Sequence, residues 1–436
     1  MSQATQTYQP REIVIVSASG NGFDITNSVL SVDYFENILE SSVTATLIIS
    51  NAYSLVSQLP IRGGEKVYLD IVTGSGDFTL NDEKKVLYVY KVSGIDSERM
   101  AENSKIHLVS REFLTNETSR CEKKYTGKIS GTVKKILKEK LLTDKFEDKN
   151  IEETSNSYAF IGNMKKPFHT LQWLCPKSIS KSAGELDPSG EKATEQGLSK
   201  GTSGFLFYEN IEGFNFRSID SLVSKERIQN SEANDETIFT YSYTGKVIES
   251  NNPQNNFKIL NFVVDKNIDL RKALRMGTYS NKTYFYNTNT HEVSIYNYHL
   301  SEEIKNKKLG TQDKIDVPEG FEKAYSRVLV RTSDHGIMSP AGGTATSGRD
   351  ISDMAKSYAR YNLLFSQALN ILIPCNVKLK VGDIIKCEFQ SLESGSSREV
   401  DSESSGYYVI RELRHHFSPQ QNTTSLKLMR DSYGLY

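Results

Sequence analysis

The chain has 436 residues, with 53 Lys plus Arg against 54 Asp plus Glu and a formal net charge of −1. At about 100–200 residues per domain this length accommodates two to four domains and a sizeable core, which excludes a disulfide-stapled miniprotein, and the balanced charge argues against a dedicated nucleic-acid-binding protein. With 37% hydrophobic and 25% charged residues and a mean hydropathy of −0.47, its apolar runs fall far short of the roughly 20 residues a membrane helix needs, so a soluble folded protein is expected.

Met1 to Gln9 are polar and uncharged and lack the basic and apolar regions of a secretory signal, so a short loose tail is expected. Strands follow. Val43, Ala45, Leu47 and Ile49 alternate with Thr44, Thr46, Ile48 and Ser50, and Leu30, Val32 and Tyr34 alternate with Ser31 and Asp33, the period of a half-buried antiparallel strand. Glu12–Ala18, Lys66–Val72, Val86–Gly94 and Ser104–Arg111 supply four more, separated by turn clusters such as Arg62-Gly63-Gly64. No helical period of comparable length intervenes before residue 112, which predicts an antiparallel barrel or sandwich.

After Phe113 the pattern changes. Ile129, Val133, Ile136, Leu137 and Leu141 share one helical stripe, and Pro167 opens a second short helix that presents Phe168, Leu171 and Cys175. Residues 116–145 carry nine Lys/Arg and four Asp/Glu, a local +5; with aromatic interleaving missing apart from Tyr125, a solvated helix face is a better reading than a nucleic-acid surface. Lys177 to Gly204 contain six Ser, five Gly, four Lys and no aromatic residue, the composition of a flexible loop. Core pattern resumes with Gly204 to Asn210 and Gly213 to Ile219, a β-hairpin expected to return to the first set of strands and complete its barrel.

Residues 246–330 mix polar, aromatic and apolar residues and are hard to phase. A Gly/Ser/Thr-rich loop at 333–349 precedes the strongest helix, on which Ile351, Met354, Ala355, Tyr358, Asn362 and Phe365 share a face. Asn370–Val377, Asp383–Phe389, Tyr407–Leu413 and Thr424–Met429 read as closing strands, with an acidic serine loop at 391–406. The four cysteines, Cys121, Cys175, Cys375 and Cys387, include no C-x-x-C pair and suit reduced thiols. The 23 Tyr and 19 Phe fit β-sheet and half-buried interfaces.

A search for chemistry returns nothing specific, so no catalytic, cofactor-binding or metal-ligating residue is assigned. Neither Gly127-Lys128 nor Gly245-Lys246 has P-loop spacing, and His291-Glu292 lacks the second histidine of a zincin helix. Asp334-His335 with Ser333 and Ser339 does not make a triad by proximity in sequence. Cys375, Cys387, His415 and His416 lie on expected neighbouring strands, yet adjacent histidines on a strand point to opposite faces, so packing is favoured over zinc. The carboxylate pairs Glu152-Glu153 and Glu302-Glu303 read as solvated.

The C-terminal third carries a more specific pattern: the Tyr/Ala helix Met354 to Tyr361, then Leu369 to Cys375, Leu379-Lys380-Val381-Gly382-Asp383-Ile384-Ile385, Gly406-Tyr407-Tyr408-Val409-Ile410, Leu413 to Phe417, and Leu426 to Gly434. Gly382-Asp383 supplies a tight turn, and Gly406 starts a strand after a variable loop. In this pattern and in the order of its parts the chain resembles the baseplate central hub proteins of T-even-like contractile-tailed phages, a tail-tube-type barrel family. The resemblance implies an α+β, mainly β fold with two tube-type antiparallel β-barrel domains, the first interrupted by an inserted α/β subdomain. Residues 10–112 plus 204–245 would form the first domain and 113–203 the insertion, ending in the flexible loop 177–203. Residues 246–436 would form the second, with a helix at about 350–368.

The resemblance further implies a homotrimer whose six barrels form a pseudo-sixfold ring, joining a threefold central spike protein to the sixfold tail tube or tube-initiator protein. Baseplate wedge proteins are further partners. Genome DNA would pass through the lumen without specific binding, which near-neutral charge permits; the lumen wall is then expected to be neutral to acidic, with the +5 segment outside. No enzyme activity, cofactor or membrane insertion is implied. The alternatives are a tail-associated hydrolase and a peripheral virion carbohydrate-binding module.

Overall fold

The computed structural model describes residues 9–432 apart from 18, 52–60, 99–100, 182–203, 224–226, 229–236, 244–255, 266–269, 288–290, 301–320, 322–323, 334–348, 391–400 and 402. Most of the expected loop 177–203, most of the loop 391–406, the expected loop 333–349 apart from its two end residues, Gly245-Lys246, Glu302-Glu303 and Asp334-His335 lie outside the described residues.

The alternating residues of the first hundred positions form strands β1 (Gln9–Val16), β2 (Gly22–Asp24), β3 (Val29–Asn37), β4 (Thr44–Asn51), β5 (Lys66–Thr73), β6 (Gly76–Leu80), β7 (Leu87–Glu98) and β8 (Ala101–Ser110). On β4 and β5 the period of two places Ala45, Leu47, Ile49, Val67, Leu69 and Ile71 in the core. Leu30 departs from its expected place. The register of β3 against β4 shifts between Val29 and Ser31, and this bulge turns Leu30 out to 45% exposure while Val32 and Tyr34 stay inside.

Helices α1 (Arg111–Thr118), α2 (Ile129–Glu139) and α3 (Pro167–Leu174), with short strands β9 (Lys124–Tyr125) and β10 (Phe160–Ile161), build the insertion. Its core gathers Val133, Ile136, Leu137 and Leu171 around the hairpin β11 (Phe205–Asn210) and β12 (Gly213–Ser218). The hairpin forms as expected, but among the described strands it pairs with no strand of the main sheet; its outside main-chain bonds go to the insertion, from Phe214 N to Lys145 O and from Glu152 N to Phe216 O. Both of its faces are covered: Phe205, Phe207, Phe214 and Phe216 enter the insertion core, and Leu206 and Tyr208 enter the main one. It is a wall between two cores.

Beyond α4 (Ile219–Leu222) come β13 (Phe239–Tyr243), β14 (Asn261–Asp265) and α5 (Leu270–Met276), then β15 (Ser280–Asn287), β16 (Val293–His299) and β17 (Arg327–Ser333), which make a separate three-stranded sheet. Helix α6 (Arg349–Leu363) packs Ala359 and Leu363 on Tyr298 and Leu300 and ends two residues short of Phe365. Strands β18 (Gln367–Pro374), β19 (Ile384–Phe389), β20 (Gly406–Phe417) and β21 (Thr423–Arg430) close the chain.

The main sheet has 14 strands in the order β14-β18-β21-β20-β3-β4-β8-β7-β5-β1-β2, with β19 and β13 branching from β20 and β6 from β5. One strand plan occurs twice in it. In chain order β3, β4, β5, β7, β8 the spatial order is β3-β4-β8-β7-β5; in chain order β14, β18, β19, β20, β21 it is β14-β18-β21-β20-β19, and every neighbouring pair is antiparallel. Even the bulge is shared: β7 skips Tyr90 against β8, and β20 skips Arg411 against β21. Strand β13, placed with the first domain by the sequence, pairs in parallel with β19 instead. Two units of one strand plan are therefore present in a mainly β chain with helices between the strands. Neither closes into a barrel by strand pairing among the described residues, because β20 gives its first residues to β19 and its last to β3. One core runs under both units, from Val32, Leu47 and Ile106 to Ile371, Leu413 and Leu428.

Candidate functional site

The two units meet along β3 and β20, where Glu412 to Phe417 pair with Asn37 to Val32. Leu413, His415 and Phe417 point into the core, and Arg414 and His416 point out. On the outer face Arg414 Nε donates to Asp33 Oδ1 at 2.9 Å, and His416 Nδ1 lies 2.7 Å from the same oxygen. Burial opposes ionisation of Asp33, but His416 and Arg414 together hold its carboxyl below the usual carboxylate range. Beside them Lys427 Nζ lies 2.7 Å from Glu412 Oε2. A groove of about 790 Å3 crosses this face over Phe35, Asn370, Arg414 and Lys427. Of the charged residues along it, Arg414, Glu412 and Lys427 are ion-paired, while Glu36 and Glu40 accept hydrogen bonds from neutral groups.

Beneath the seam a buried polar joint ties four segments together. Glu36 on β3 accepts from Ile211 N at 2.6 Å, Tyr34 Oη at 2.9 Å and Val381 N at 2.8 Å, joining the hairpin turn to the Gly382 turn. Burial outweighs these donors and pushes its carboxyl up to about 7. Close by, Lys145 of the insertion pairs with Glu209 of β11 at 2.5 Å, and Glu209 Oε2 accepts from Val43 N at 3.0 Å. Burial pulls the Lys145 ammonium down, yet Glu209 and Glu112 leave it raised. A second joint fixes α6: Arg360 reaches Asp220 on α4 at 3.2 Å and Asp431 after β21 at 3.0 Å, all nearly fully buried. Such pairs locate segments more than they stabilise them.

The residues weighed for chemistry are dispersed. His415 is buried, with Nδ1 2.9 Å from Thr424 Oγ1, and burial pushes its ring down to about 3, so it is neutral. Burial likewise pushes the Cys375 thiol up to about 11 and raises those of Cys175 and Cys387 well above their ordinary value. Among the described residues no group of three or more His, Cys, Asp or Glu could hold a metal ion. Glu152 accepts from Ser218 N and Ser221 Oγ, at 2.7 and 2.8 Å, and from Ser180 Oγ, so it organises a turn; Glu153 bridges Lys128 and Lys181. His291 Nδ1 lies 2.6 Å from Tyr286 Oη. In the +5 segment Lys123, Lys128, Lys134, Lys135, Lys140 and Lys145 all face carboxylates. Six of the nine cations of the segment are thus ion-paired.

No protein-family model matches the sequence, and no curated protein matches it in sequence. Solved structures do match the fold. The tail protein from Neisseria meningitidis MC58 superposes with a TM-score of 0.51 at 10% identity, covering 98% of each chain. The 43 kDa tail protein of prophage MuSo2 from Shewanella oneidensis gives 0.51 at 9% identity, covering 98% of this chain and 99% of that one. The chain has the fold of a phage tail protein. At these identities the likeness is one of backbone architecture, and the coverage takes in both units and both insertions.

What the tail-protein fold uses here, and what sequence reasoning passed over, is a repeated turn. Gly64 N donates to Val89 O at 2.7 Å and Val89 N to Glu65 O at 2.9 Å; Gly382 N donates to Ile410 O at 3.0 Å and Ile410 N to Asp383 O at 2.9 Å. In each copy the carboxylate folds back on the turn, Glu65 accepting from Arg62 N at 2.7 Å and Asp383 from Lys380 N at 3.1 Å. Arg62-Gly63-Gly64-Glu65 and Lys380-Val381-Gly382-Asp383 are thus one motif, a basic residue, any residue, glycine and an acid. That spacing was the available signal. Glu36 and Arg360 gave none, since a buried charge looks like a surface charge in sequence.

Proposed function

We propose that the protein is a non-enzymatic structural component of a phage tail, the baseplate hub of a contractile tail. In this role it is a homotrimer whose two tube-type units per chain give six similar units around a lumen through which DNA passes. A threefold spike protein would bind on one side and the tail tube or its initiator on the other, because duplicated units within a threefold assembly present six like faces. The observation that carries this reading is the duplication itself: one strand plan, one bulge and one turn, built twice in a chain and joined edge to edge.

The chain would divide into a first unit at 9–110, an insertion at 111–218 and a second unit formed by 239–265 with 367–432, interrupted by 270–363. Buried joints at Glu36 and Arg360 support rigid placement of the insertions, as a scaffold that transmits load requires. The paired charges across the seam groove support a wall that does not retain phosphate. Light scattering and negative-stain imaging of the purified protein, alone and with a spike partner, test the proposal. Threefold rings are expected; monomers in both samples would refute it.

A further inference from the structure

The joint at Lys145 and Glu209 brings an amine and a carboxyl together out of water and fixes each in place. Lys145 Nζ lies 2.5 Å from Glu209 Oε1, with the two side chains 7% and 0% exposed. Glu209 stands opposite Phe214 and shares its face of β11 with Phe205 and Phe207, so it lies on the aromatic side of the hairpin. Lys145 is pinned at its backbone. Its carbonyl accepts from Phe214 N at 2.8 Å, and at Gly213, with a φ of +128°, any Cβ would fall on that same carbonyl oxygen. Only glycine lets the two segments approach so closely.

The other groups that an acyl transfer needs stand around the pair. Val43 N donates to Glu209 Oε2 at 3.0 Å, a main-chain amide directed at the oxygen on which charge collects in a tetrahedral intermediate. Glu112 is 5% exposed; its Oε1 accepts from Thr143 Oγ1 at 2.7 Å, while its Oε2 has no hydrogen-bond partner among the described residues. The Thr143 hydroxyl also accepts from Lys145 N at 3.2 Å, which holds Glu112 beside the lysine. A second buried carboxyl with a free oxygen is a proton carrier at hand. Burial and the charge of Glu209 raise the Glu112 carboxyl above its ordinary range, so it takes a proton readily.

We propose that Lys145 and Glu209 condense to an intramolecular amide, a covalent clamp between the insertion and the hairpin, with Glu112 carrying the protons. The Lys145 nitrogen, relieved of a proton by Glu112, forms its bond to Glu209 Cδ. Two of the three ammonium protons pass through Glu112 to Oε1, the Cδ–Oε1 bond breaks, and water leaves. Nζ keeps the third proton, and Oε2 becomes the amide oxygen, still bonded to Val43 N. Nothing is oxidised or reduced, and Glu112 ends as it began. The pair starts as ions, because Glu209 and Glu112 hold the ammonium charged. Condensation removes both buried charges at once and with them the desolvation that makes such pairs costly. Groups held in contact in this way reach effective concentrations of about 10⁵–10⁸ M, which favours the amide over its hydrolysis. The inference goes beyond the tail-protein reading and does not rest on it.

Intact-mass spectrometry of the full-length protein, followed by tryptic mapping, tests the clamp. The folded protein should weigh less than its sequence by one water. Its digest should contain residues 141–149 joined to residues 201–217 as one branched peptide, because trypsin does not cleave after an acylated lysine. Glu112→Gln keeps the pair and removes the proton carrier, so it should leave the amide unformed. Unaltered protein of full mass, with residues 141–145 and 201–217 recovered as separate peptides, would overturn the clamp, as would a water loss that maps to other residues. Complete condensation in Glu112→Gln would overturn the part assigned to Glu112. The unaltered protein decides the main question even where the variant fails to fold.

Discussion

Because the turn is built twice, its glycines allow backbone strain to be separated from steric overlap. Gly64 and Gly382 adopt φ of +93° and +90°, where any side chain is strained by about 1–3 kcal/mol. A Cβ on Gly64 would meet nothing within 4 Å, so Gly64→Ala should cost that strain alone. A Cβ on Gly382 would overlap Tyr208 Oη and lie 3.1 Å from its Cζ. Tyr208 is 2% exposed, clamped between the hairpin and the main core, and cannot retreat without moving β11. Overpacking of that kind adds about 1–3 kcal/mol, for a total of roughly 2–6 kcal/mol in Gly382→Ala. Urea unfolding followed by far-ultraviolet circular dichroism would compare the two, with Tyr208→Phe as a partial rescue of Gly382→Ala because it removes the overlapping hydroxyl. Equal losses at the two glycines, or no rescue, would refute the reasoning.

Three further outcomes are expected. Burial raises the Glu36 carboxyl from 4.5 to about 7, so the folded state holds that proton more tightly than the unfolded state does. Its contribution, about 3 kcal/mol at 1.36 kcal/mol per tenfold change, is present in full below about pH 4.5 and is lost as pH rises through about 7. Glu36→Gln should flatten the stability profile over that range, and an unchanged slope would acquit Glu36. Arg360→Ala leaves Asp220 and Asp431 buried without their cation and should cost about 3–5 kcal/mol, while Arg360→Met combined with Asp220→Asn and Asp431→Asn should recover most of it. Thermal unfolding of the two variants checks this; equal midpoints would contradict it. In native protein near pH 8 a disulfide reagent should find at most the half-buried Cys375, and that slowly, since Cys121, Cys175 and Cys387 are buried; rapid titration of several thiols would show that the core opens.

Strand existence was legible where one face is buried and the other wet, as on β4, β5, β18 and β21, because the period of two is then written in the side chains. It failed at Leu30, where a bulge changed the face, and for β2 and β6, which are too short to show a period. The hairpin β11–β12 was legible as a hairpin but not as a wall: Phe205 and Leu206 are both apolar and face different cores, so nothing in the sequence tells where each face goes. The tyrosine excess suggested interface anchors, yet Tyr34, Tyr208, Tyr241 and Tyr408 are core residues.

The repeat was hardest to see for a physical reason. Pairing of strand edges uses main-chain groups, so the corresponding outer positions are free to differ: Asp33 against Val263, Lys91 against Glu412, Arg414 against Ser93. What the turn demands is a glycine that tolerates positive φ and an acid two atoms or three from its backbone that can cap the amide three residues before it, a requirement met by Gly64-Glu65 and Gly382-Asp383, each preceded by a basic residue. The same argument explains the differing faces of the seam. Where the chain joins its own units, Asp33 holds Arg414 and His416 across the strands; at the corresponding position of the second unit, counted from the shared bulge, stands the exposed, apolar Val263.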